Sequence, residues 1–230
     1  MKIFALILLS VALWSCQSQK DKKEEIQSSS ENGETSMEEP SLLEEIANAN
    51  GYNNWSDVET FKYTFNVDAG GNHSERSWEW NPKTDQVSMI TKDSTTTYKR
   101  SEITEELRSI DQAFINDKYW LVFTFQLVWD ENFDYETQEN VEAPISKEKL
   151  TEVTVMYSDA AGYTPGDTYK IYLDDAMIIQ EWSYIPNGSE KPVLVTTWED
   201  YEDFKGLQLA KNHKTENGNF RLYFTNISVN

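Results

Sequence analysis

Alternation of apolar and polar residues, interrupted by turn sequences, is the feature that most constrains how this chain can fold. In residues 61–67 aromatic and aliphatic side chains occupy every second position, and Trp78 and Trp80 alternate with polar residues just before Asn81-Pro82. A period of two is typical of a strand with one buried face. The C-terminal half repeats such segments between turn sequences such as Pro186-Asn187-Gly188. We therefore predict a meander of about ten antiparallel strands. In this half the predicted strands span residues 149–157, 168–173, 177–185, 193–203, 207–215 and 219–229.

Two helices are predicted to accompany the strands. Ser41 and Glu44 match a capping box, and apolar residues follow at helical spacing as far as Asn50-Gly51. Residues 104–116 also place their apolar side chains on one helical face. The next run, Tyr119–Trp129, is the most apolar of the mature chain, and we predict it as a strand buried on both faces.

The predicted fold class is mainly β (α+β). A twisted antiparallel sheet of this many strands must curl, and an open curl leaves an apolar inner face. We expect an incomplete antiparallel barrel, or half-barrel, with two or three helices covering its concave face.

The N-terminal residues predict export and a lipid anchor. The apolar run that follows Lys2 is too short to span a bilayer and leads to Cys16, the only cysteine of the chain. This layout resembles a lipoprotein signal peptide, which implies cleavage after residue 15 and acylation of Cys16 with palmitate or a similar chain. An ordinary secretory signal with a chance cysteine is the alternative. Residues 16–40 have the composition of a disordered tether, and residues 41–230 suffice for one domain.

The acidic composition limits the possible partners. A formal charge of −20 disfavours nucleic acid, and it also disfavours attachment to anionic lipid through basic residues. The predicted membrane partner must then be reached through the acyl chains on Cys16. We expect a monomer in the cell envelope, at the outer membrane, on its periplasmic face or at the cell surface. With a single cysteine the domain has no disulfide to rely on.

Few residues form a pattern that carries chemistry. His73 and His213 are the only histidines, too few for a histidine-based zinc site, and neither a Gly-x-Ser-x-Gly sequence nor a glycine-rich phosphate loop is present. We predict no metal, no cofactor and no catalytic residue. Asp130, Asn132 and Asp134 have the spacing of calcium-loop ligands, but Tyr135 replaces the glycine of such loops, which favours a solvated acidic loop.

Acidic residues on predicted strands leave a hydrolase open as a third possibility. Glu79, Glu181 and Glu199 include possible carboxylate pairs of the kind that glycosidases use. Such a pair requires two carboxyl groups that face one cleft. The chain has 40 acidic residues, so chance pairs are expected.

The segment from Tyr169 to Asn212 carries a family resemblance. It contains a strand at 169–173, a turn at Asp174-Asp175, a strand with Trp182, then Glu199-Asp200-Tyr201 and Phe204-Lys205-Gly206 before alternating apolar residues. This order resembles the LolA/LolB-like lipoprotein-sorting half-barrel superfamily, including its uncharacterised outer-membrane lipoproteins. The resemblance implies a half-barrel with an apolar cavity able to hold acyl chains. Independently of it, Lys205-Gly206 predicts a tight hairpin.

The predicted function is non-enzymatic binding of an apolar ligand or acyl chain in the half-barrel cavity. Alternate strand residues are expected to line that cavity, and the aromatic side chains are the strongest candidates. A surface carbohydrate-binding module is the alternative, and the exposure of the tryptophans decides between the two. The candidate ligand-binding residues are Phe61, Phe65, Trp78, Trp80, Trp182, Tyr184, Leu194 and Trp198.

Overall fold

The computed structural model describes residues 39–160 and 162–230. The predicted signal peptide, Cys16 and the tether up to residue 38 lie outside the described residues. The helices are α1 (Leu42–Ala49) and α2 (Arg108–Trp129), with short 3-10 helices at Tyr52–Asp57, Arg100–Glu102 and Glu105–Leu107. The strands are β1 (Phe61–Ala69), β2 (Asn72–Asn81), β3 (Gln86–Ile90), β4 (Thr95–Lys99), β5 (Phe133–Glu142), β6 (Lys149–Tyr157), β7 (Thr168–Leu173), β8 (Ile179–Ile185), β9 (Leu194–Thr197), β10 (Glu202–Phe204), β11 (Leu207–Leu209), β12 (Asn212–Lys214) and β13 (Phe220–Val229).

Two antiparallel sheets meet edge to edge. The first has the order β12-β13-β1-β2-β3-β4, the second has the order β5-β6-β7-β8-β9, and β10 and β11 form a separate hairpin. The residues after β9 join the sheets, because the amide of Glu199 donates to the carbonyl of Asn212 at 2.8 Å and the amide of Asn212 donates back at 3.2 Å. The result is an open, curved layer that does not close into a barrel. The predicted fold class is confirmed.

Helix α2 lies against the concave face and contacts both sheets. Phe114 packs edge-on against Trp78 and Trp80 of β2, with ring centroids 5.4 and 5.5 Å apart. About two and a half turns further along, Phe123 packs against Tyr169 of β7 and Trp182 of β8. Because α2 is covered from both sides, residues 117–127 are all buried.

The predicted strand at Tyr119–Trp129 is wrong, since this segment continues α2. Its uninterrupted apolar character arises because the helix is enclosed on every side, a situation in which the one-sided pattern of a surface helix is lost. The backbone departs from helical geometry only at Val122, where φ is −128° and ψ is 34°, so α2 consists of two helical halves. Among the described residues, neither helix is both long and apolar enough to cross a membrane.

The strand count was also underestimated. Strands β3 and β4 were not predicted, and neither was the edge strand β5 at residues 133–142. The sequence of β5 does not alternate between apolar and polar residues along its whole length, because nearly all of its side chains are exposed. Each of the segments 193–203 and 207–215 was predicted as one strand but divides into two shorter ones.

The capping box and the hairpin predicted from sequence are confirmed. Ser41 Oγ accepts from the amide of Glu44, whose carboxylate accepts from the amide of Ser41. In the β10–β11 hairpin both Lys205 and Gly206 have positive φ, at 55° and 85°, as a two-residue hairpin turn with mirror-image geometry requires.

This hairpin docks closely on the end of α1. Asn54 Nδ2 donates to the carbonyl of Gly206 at 3.1 Å, and the amide of Gln208 donates to the carbonyl of Asn50 at 3.0 Å. Gly51, at φ 91°, is so near that a Cβ there would lie 1.9 Å from the Gly206 oxygen. A glycine is therefore required at position 51 by both its backbone angle and its neighbour.

We predict that Gly51→Ala lowers the free energy of unfolding by about 2–4 kcal/mol, because a left-handed alanine and a backbone clash are combined. Gly70→Ala is the matched control: its φ of 57° is also positive, but no atom lies within 4 Å of the added Cβ. It should cost only about 1 kcal/mol. Urea denaturation measures both values, and equal losses would contradict the close approach at Gly51.

Candidate functional site

Two neighbouring cavities lie beside α2. The smaller, called here the aromatic cavity, has a volume of about 240 Å³ and is bounded by α2, β7, β8 and the loop between β6 and β7. Aromatic side chains form much of its wall, and Gln112, Asn116 and Asp167 supply polar atoms. Its principal apolar walls are Ile115, Tyr119, Trp120, Tyr169, Trp182 and Tyr184.

The larger cavity, called here the lysine cavity, has a volume of about 590 Å³. It lies on the other side of Ile115 and Tyr119, which line both spaces, as do Tyr163 and Thr164. Exposed residues such as Glu131 and Asn132 form part of its lining, whereas Lys118 is only 5 % exposed. The remaining walls include Trp55, Trp80, Arg100, Gln126, Trp129 and Tyr157.

Lys118 is a buried cation surrounded by aromatic rings. Its Nζ lies 5.2, 5.8 and 5.3 Å from the ring centroids of Trp80, Phe114 and Trp129. The side-chain amide of Gln126, oriented to satisfy both of its neighbours, accepts from Lys118 Nζ at 3.0 Å and donates to Asp130 at 2.9 Å. Burial lowers the pKa of Lys118 to about 8, and the positive charge of Arg100 acts in the same direction.

The acidic residues of α2, in contrast, have direct counter-charges. Asp117 is completely buried and accepts both Arg76 Nε and Nη2 at 2.6 Å, as well as the indole of Trp78 at 2.7 Å. Burial raises the pKa of Asp117, and the Arg76 guanidinium opposes that rise. Asp111 accepts from Arg100 Nε at 2.9 Å and from the hydroxyl of Tyr163 at 2.7 Å. These bonds fix α2 to the first sheet and to the β6–β7 loop.

The predicted ligand-binding residues separate into two groups. Trp182 and Tyr184 line the aromatic cavity and Trp80 lines the lysine cavity. Phe61, Phe65, Trp78 and Trp198 are buried in the packed core, and Leu194 is half-buried against it. A ligand-binding role for any of these residues stays a prediction.

The orientation of the tryptophans bears on the carbohydrate alternative. Trp78 and Trp182 are 1 and 2 % exposed, and Trp80 is 6 % exposed. All three lie on the concave side, under α2, so they do not form a solvent-facing platform on which a sugar ring could stack.

The three glutamates suggested for a carboxylate pair have different partners. Glu79 forms an exposed ion pair with Lys62, and Glu199 pairs with Lys214 where the sheets join. Glu181 is buried and accepts from the amides of Ile145 and Ser146, each at 2.7 Å. Glu181 therefore anchors the loop between β5 and β6.

The histidines lie in different environments. His73 is exposed and hydrogen-bonds Asp68 at 2.7 Å, which raises the pKa of His73. His213 is fully buried between Trp120 and Trp198, and neither ring nitrogen has a well-aligned hydrogen-bond partner. Burial lowers the pKa of His213 to about 3, so it is neutral at physiological pH. Within residues 39–160 and 162–230, no three His, Cys, Asp or Glu side chains are grouped to hold a metal ion.

The calcium-like spacing also has a structural explanation. Asp130 accepts hydrogen bonds from the hydroxyls of Tyr119 and Tyr157, the latter at 2.7 Å. Asp134 belongs to strand β5. The predicted solvated acidic loop is limited to residues 130–132, where Glu131 and Asn132 are exposed. Asp130 closes α2 against β6, and the chain then enters the sheet.

Comparison with known proteins yields similarity of structure alone. No protein-family model matches the chain, and no curated protein matches its sequence. The solved structures it is similar to include a DUF1329 family protein from Desulfovibrio piger, with 7 % identity, a TM-score of 0.47, and 83 % of this chain and 94 % of that chain covered.

Two further structures have names from the lipoprotein-sorting superfamily that the segment from Tyr169 to Asn212 resembles. A LolA superfamily protein from Nitrosomonas europaea is 10 % identical, with a TM-score of 0.46, and the match covers 82 % of this chain and 91 % of that chain. An outer membrane lipoprotein-sorting protein domain from Vibrio parahaemolyticus is 9 % identical, with a TM-score of 0.43 and coverage of 81 % and 93 %.

The sequence analysis overlooked Lys118, although a signal was present. Phe114, Lys118, Leu121 and Phe125 are spaced by four, three and four residues, which places Lys118 on the apolar stripe of a helix. The lysine was not noticed because residues 119–129 were taken as a strand, which ended the helix before this register was complete.

We predict that Lys118 makes the free energy of unfolding increase with pH in the alkaline range. The folded-state pKa lies near 8 and the ordinary value near 10.5, so the unfolded chain binds more protons between these values and stability rises with pH there. Relative to Lys118→Met, the wild type should gain about 3 kcal/mol between pH 7.5 and 10.5, measured by urea denaturation at both values. Lys170→Met, which removes the ion pair with Glu152 but keeps Lys118, is the matched control. Relative to Lys170→Met, the wild type should show no such gain. If the difference in unfolding free energy between wild type and Lys118→Met were the same at both pH values, the burial of a charged lysine would be contradicted.

Proposed function

We propose that this chain is a lipid-anchored, non-enzymatic protein of the cell envelope that binds a small apolar ligand between α2 and the concave sheet. The observation that carries the proposal is the aromatic cavity. Trp120, Tyr169 and Trp182 form walls of a space of about 240 Å³ that is not filled by side chains. Aromatic walls with a few polar atoms at one side are typical of small-molecule sites.

The size of the aromatic cavity favours a slender ligand. Ligand cavities commonly measure about 300–1,000 Å³, so this one alone suits a short acyl chain or a small ring system. Tyr163 and Thr164 line both cavities, and the Tyr163 hydroxyl is held by Asp111 at 2.7 Å. Tyr163 and Thr164 therefore form a wall that the two cavities share.

The positions of the acidic residues favour binding over hydrolysis. Glu181 accepts two backbone amides and Glu199 is paired with Lys214, while Glu79 is paired with Lys62 on the exposed side of β2. Each group is engaged in holding its own part of the fold. None of them lines either cavity.

The proposed attachment relies on Cys16 and on the charge of the protein. The chain carries 40 acidic against 20 basic residues, so anionic headgroups repel it and acyl chains on Cys16 would hold it at the membrane. We propose the outer membrane as the location and a monomer as the anchored species.

Binding can be tested with N-phenyl-1-naphthylamine, a neutral apolar fluorophore. We expect saturable binding with micromolar affinity, which corresponds to about −8 kcal/mol, together with energy transfer from the tryptophans that line the cavity. Gln112→Trp places a large side chain at the exposed margin of the aromatic cavity and should weaken binding at least fivefold. Ser109→Trp, on an exposed position of α2 outside both cavities, is the matched control.

Two results would overturn the proposed ligand site. One is an absence of saturable fluorescence change with the folded wild-type domain. The other is equal binding by the wild type and by Gln112→Trp, provided that near-ultraviolet circular dichroism shows native packing in both. Weaker binding by Ser109→Trp would indicate a general effect of added tryptophan and would equally count against the site.

The anchor has its own test. We predict that Cys16→Ser moves the protein from the membrane fraction to the soluble fraction and abolishes labelling by an alkyne palmitate analogue. Ser15→Ala, next to the cleavage position, should retain both labelling and membrane attachment. A wild-type protein that is unlabelled and soluble would contradict the lipoprotein proposal while leaving the ligand proposal intact.

A further inference from the structure

The lysine cavity contains a buried positive charge that lacks a direct counter-charge. Among the residues the structure describes, no carboxylate oxygen lies within 4.0 Å of Lys118 Nζ. Within the described part of the chain, the polar partner of the ammonium is the Gln126 side chain. Asp130 stabilises the charge from behind that amide: one of its oxygens accepts from Gln126, and the other accepts from the hydroxyls of Tyr119 and Tyr157.

Three of the four other buried charged side chains in the described residues have a direct counter-charge, and the fourth, Glu181, accepts two backbone amides. Asp117 has a bidentate arginine, Asp111 has Arg100, and Glu152 accepts from Lys170 at 2.7 Å. A buried charge without a partner lowers stability by more than a paired one, so its presence requires an explanation. At Lys118 the ring faces offset part of this cost, but they supply no negative charge.

The position of Lys118 suggests which group would supply its missing counter-charge. It lines a cavity of about 590 Å³ whose other walls include the rings of Trp55, Trp80 and Trp129, as well as Asp130 and Glu131. Arg100 also lines the cavity, but Asp111 already neutralises it at 2.9 Å. Among the described residues that line the cavity, Lys118 is therefore the cation that an entering anion would meet without a carboxylate already paired to it.

We propose that the lysine cavity binds the oxyanion end of an amphipathic small molecule, with Lys118 Nζ as the group that receives a carboxylate or phosphate. The apolar body of that molecule lies against the tryptophan walls and extends toward the aromatic cavity past Ile115 and Tyr119. The proposal rests on the proposed function, since it assigns the chemical class of the ligand. It adds a charge preference that an apolar site alone would not have.

The test compares two fluorophores that share one ring system. 1-Anilinonaphthalene-8-sulfonate carries an anionic group, and N-phenyl-1-naphthylamine is its neutral counterpart. In Lys118→Met we expect the affinity for the sulfonate to fall at least tenfold and the affinity for the neutral compound to change less than twofold. Lys170→Met removes a lysine that lies outside both cavities and should leave both affinities unchanged.

Competition identifies the oxyanion. Decanoate and decyl phosphate should each displace the sulfonate probe from the wild type at concentrations at which decanol does not. Stronger displacement by decanoate would assign a carboxylate ligand, and stronger displacement by decyl phosphate a phosphate ester. Both results support the site.

The outcomes separate this inference from the proposed function. In one outcome the neutral probe binds the wild type, and Lys118→Met lowers the affinity for both probes equally or for neither of them. That result overturns the anion site and leaves the apolar site standing. If neither probe binds the wild type, both proposals fail. Near-ultraviolet circular dichroism and the melting temperature of Lys118→Met show whether the variant is folded, and Lys118→Gln provides a second uncharged variant for the same comparison.

Discussion

The seating of α2 against the concave face is the constraint on which the rest of the structure depends. Two buried aspartates of this helix hold it to the first sheet, Asp117 through Arg76 and Trp78 and Asp111 through Tyr98 and Arg100. Hydrogen-bonded ion pairs are directional, so they fix the rotation and the height of the helix, which apolar packing alone does not. With that position fixed, Phe114 reaches β2, and Phe123 reaches the second sheet.

Aromatic packing between the helix and the second sheet then provides the core. Trp182 is in ring contact with Trp120, Phe123 and Tyr169, and Phe123 also contacts Tyr169, at centroid distances of 4.7–5.5 Å. Such rings bury a large area and supply stability in a domain whose chain contains a single cysteine. Several of these rings also line the aromatic cavity beside the helix.

The sequence predicted those elements whose residues alternate between a buried and an exposed face. Strands β6 and β7 were predicted to the residue, because Val153, Val155 and Ile171 point inward between polar neighbours. Prediction from alternation failed for segments whose residue types follow from what surrounds the segment on all sides and not from one buried face. Residues 119–127 are apolar or buried throughout because protein surrounds them, whereas β5 is polar on both faces because it lies at the edge of a sheet. Of the tryptophans that line the two cavities, the predicted candidates included Trp80 and Trp182 but not Trp55, Trp120 or Trp129. Recognition of Lys118 required the correct helical register.

The composition of the edge strand β5 has a consequence for how copies of this protein behave when they are crowded together. A free edge exposes backbone amides and carbonyls that can pair with the edge of another sheet. Here the exposed side chains of β5 include Asp134, Glu136 and Glu139, so two such edges would bring rows of negative charge face to face. Copies held side by side at high local density would therefore repel one another at this edge. Their sheets would stay apart even though the free edge is not removed by closure into a barrel.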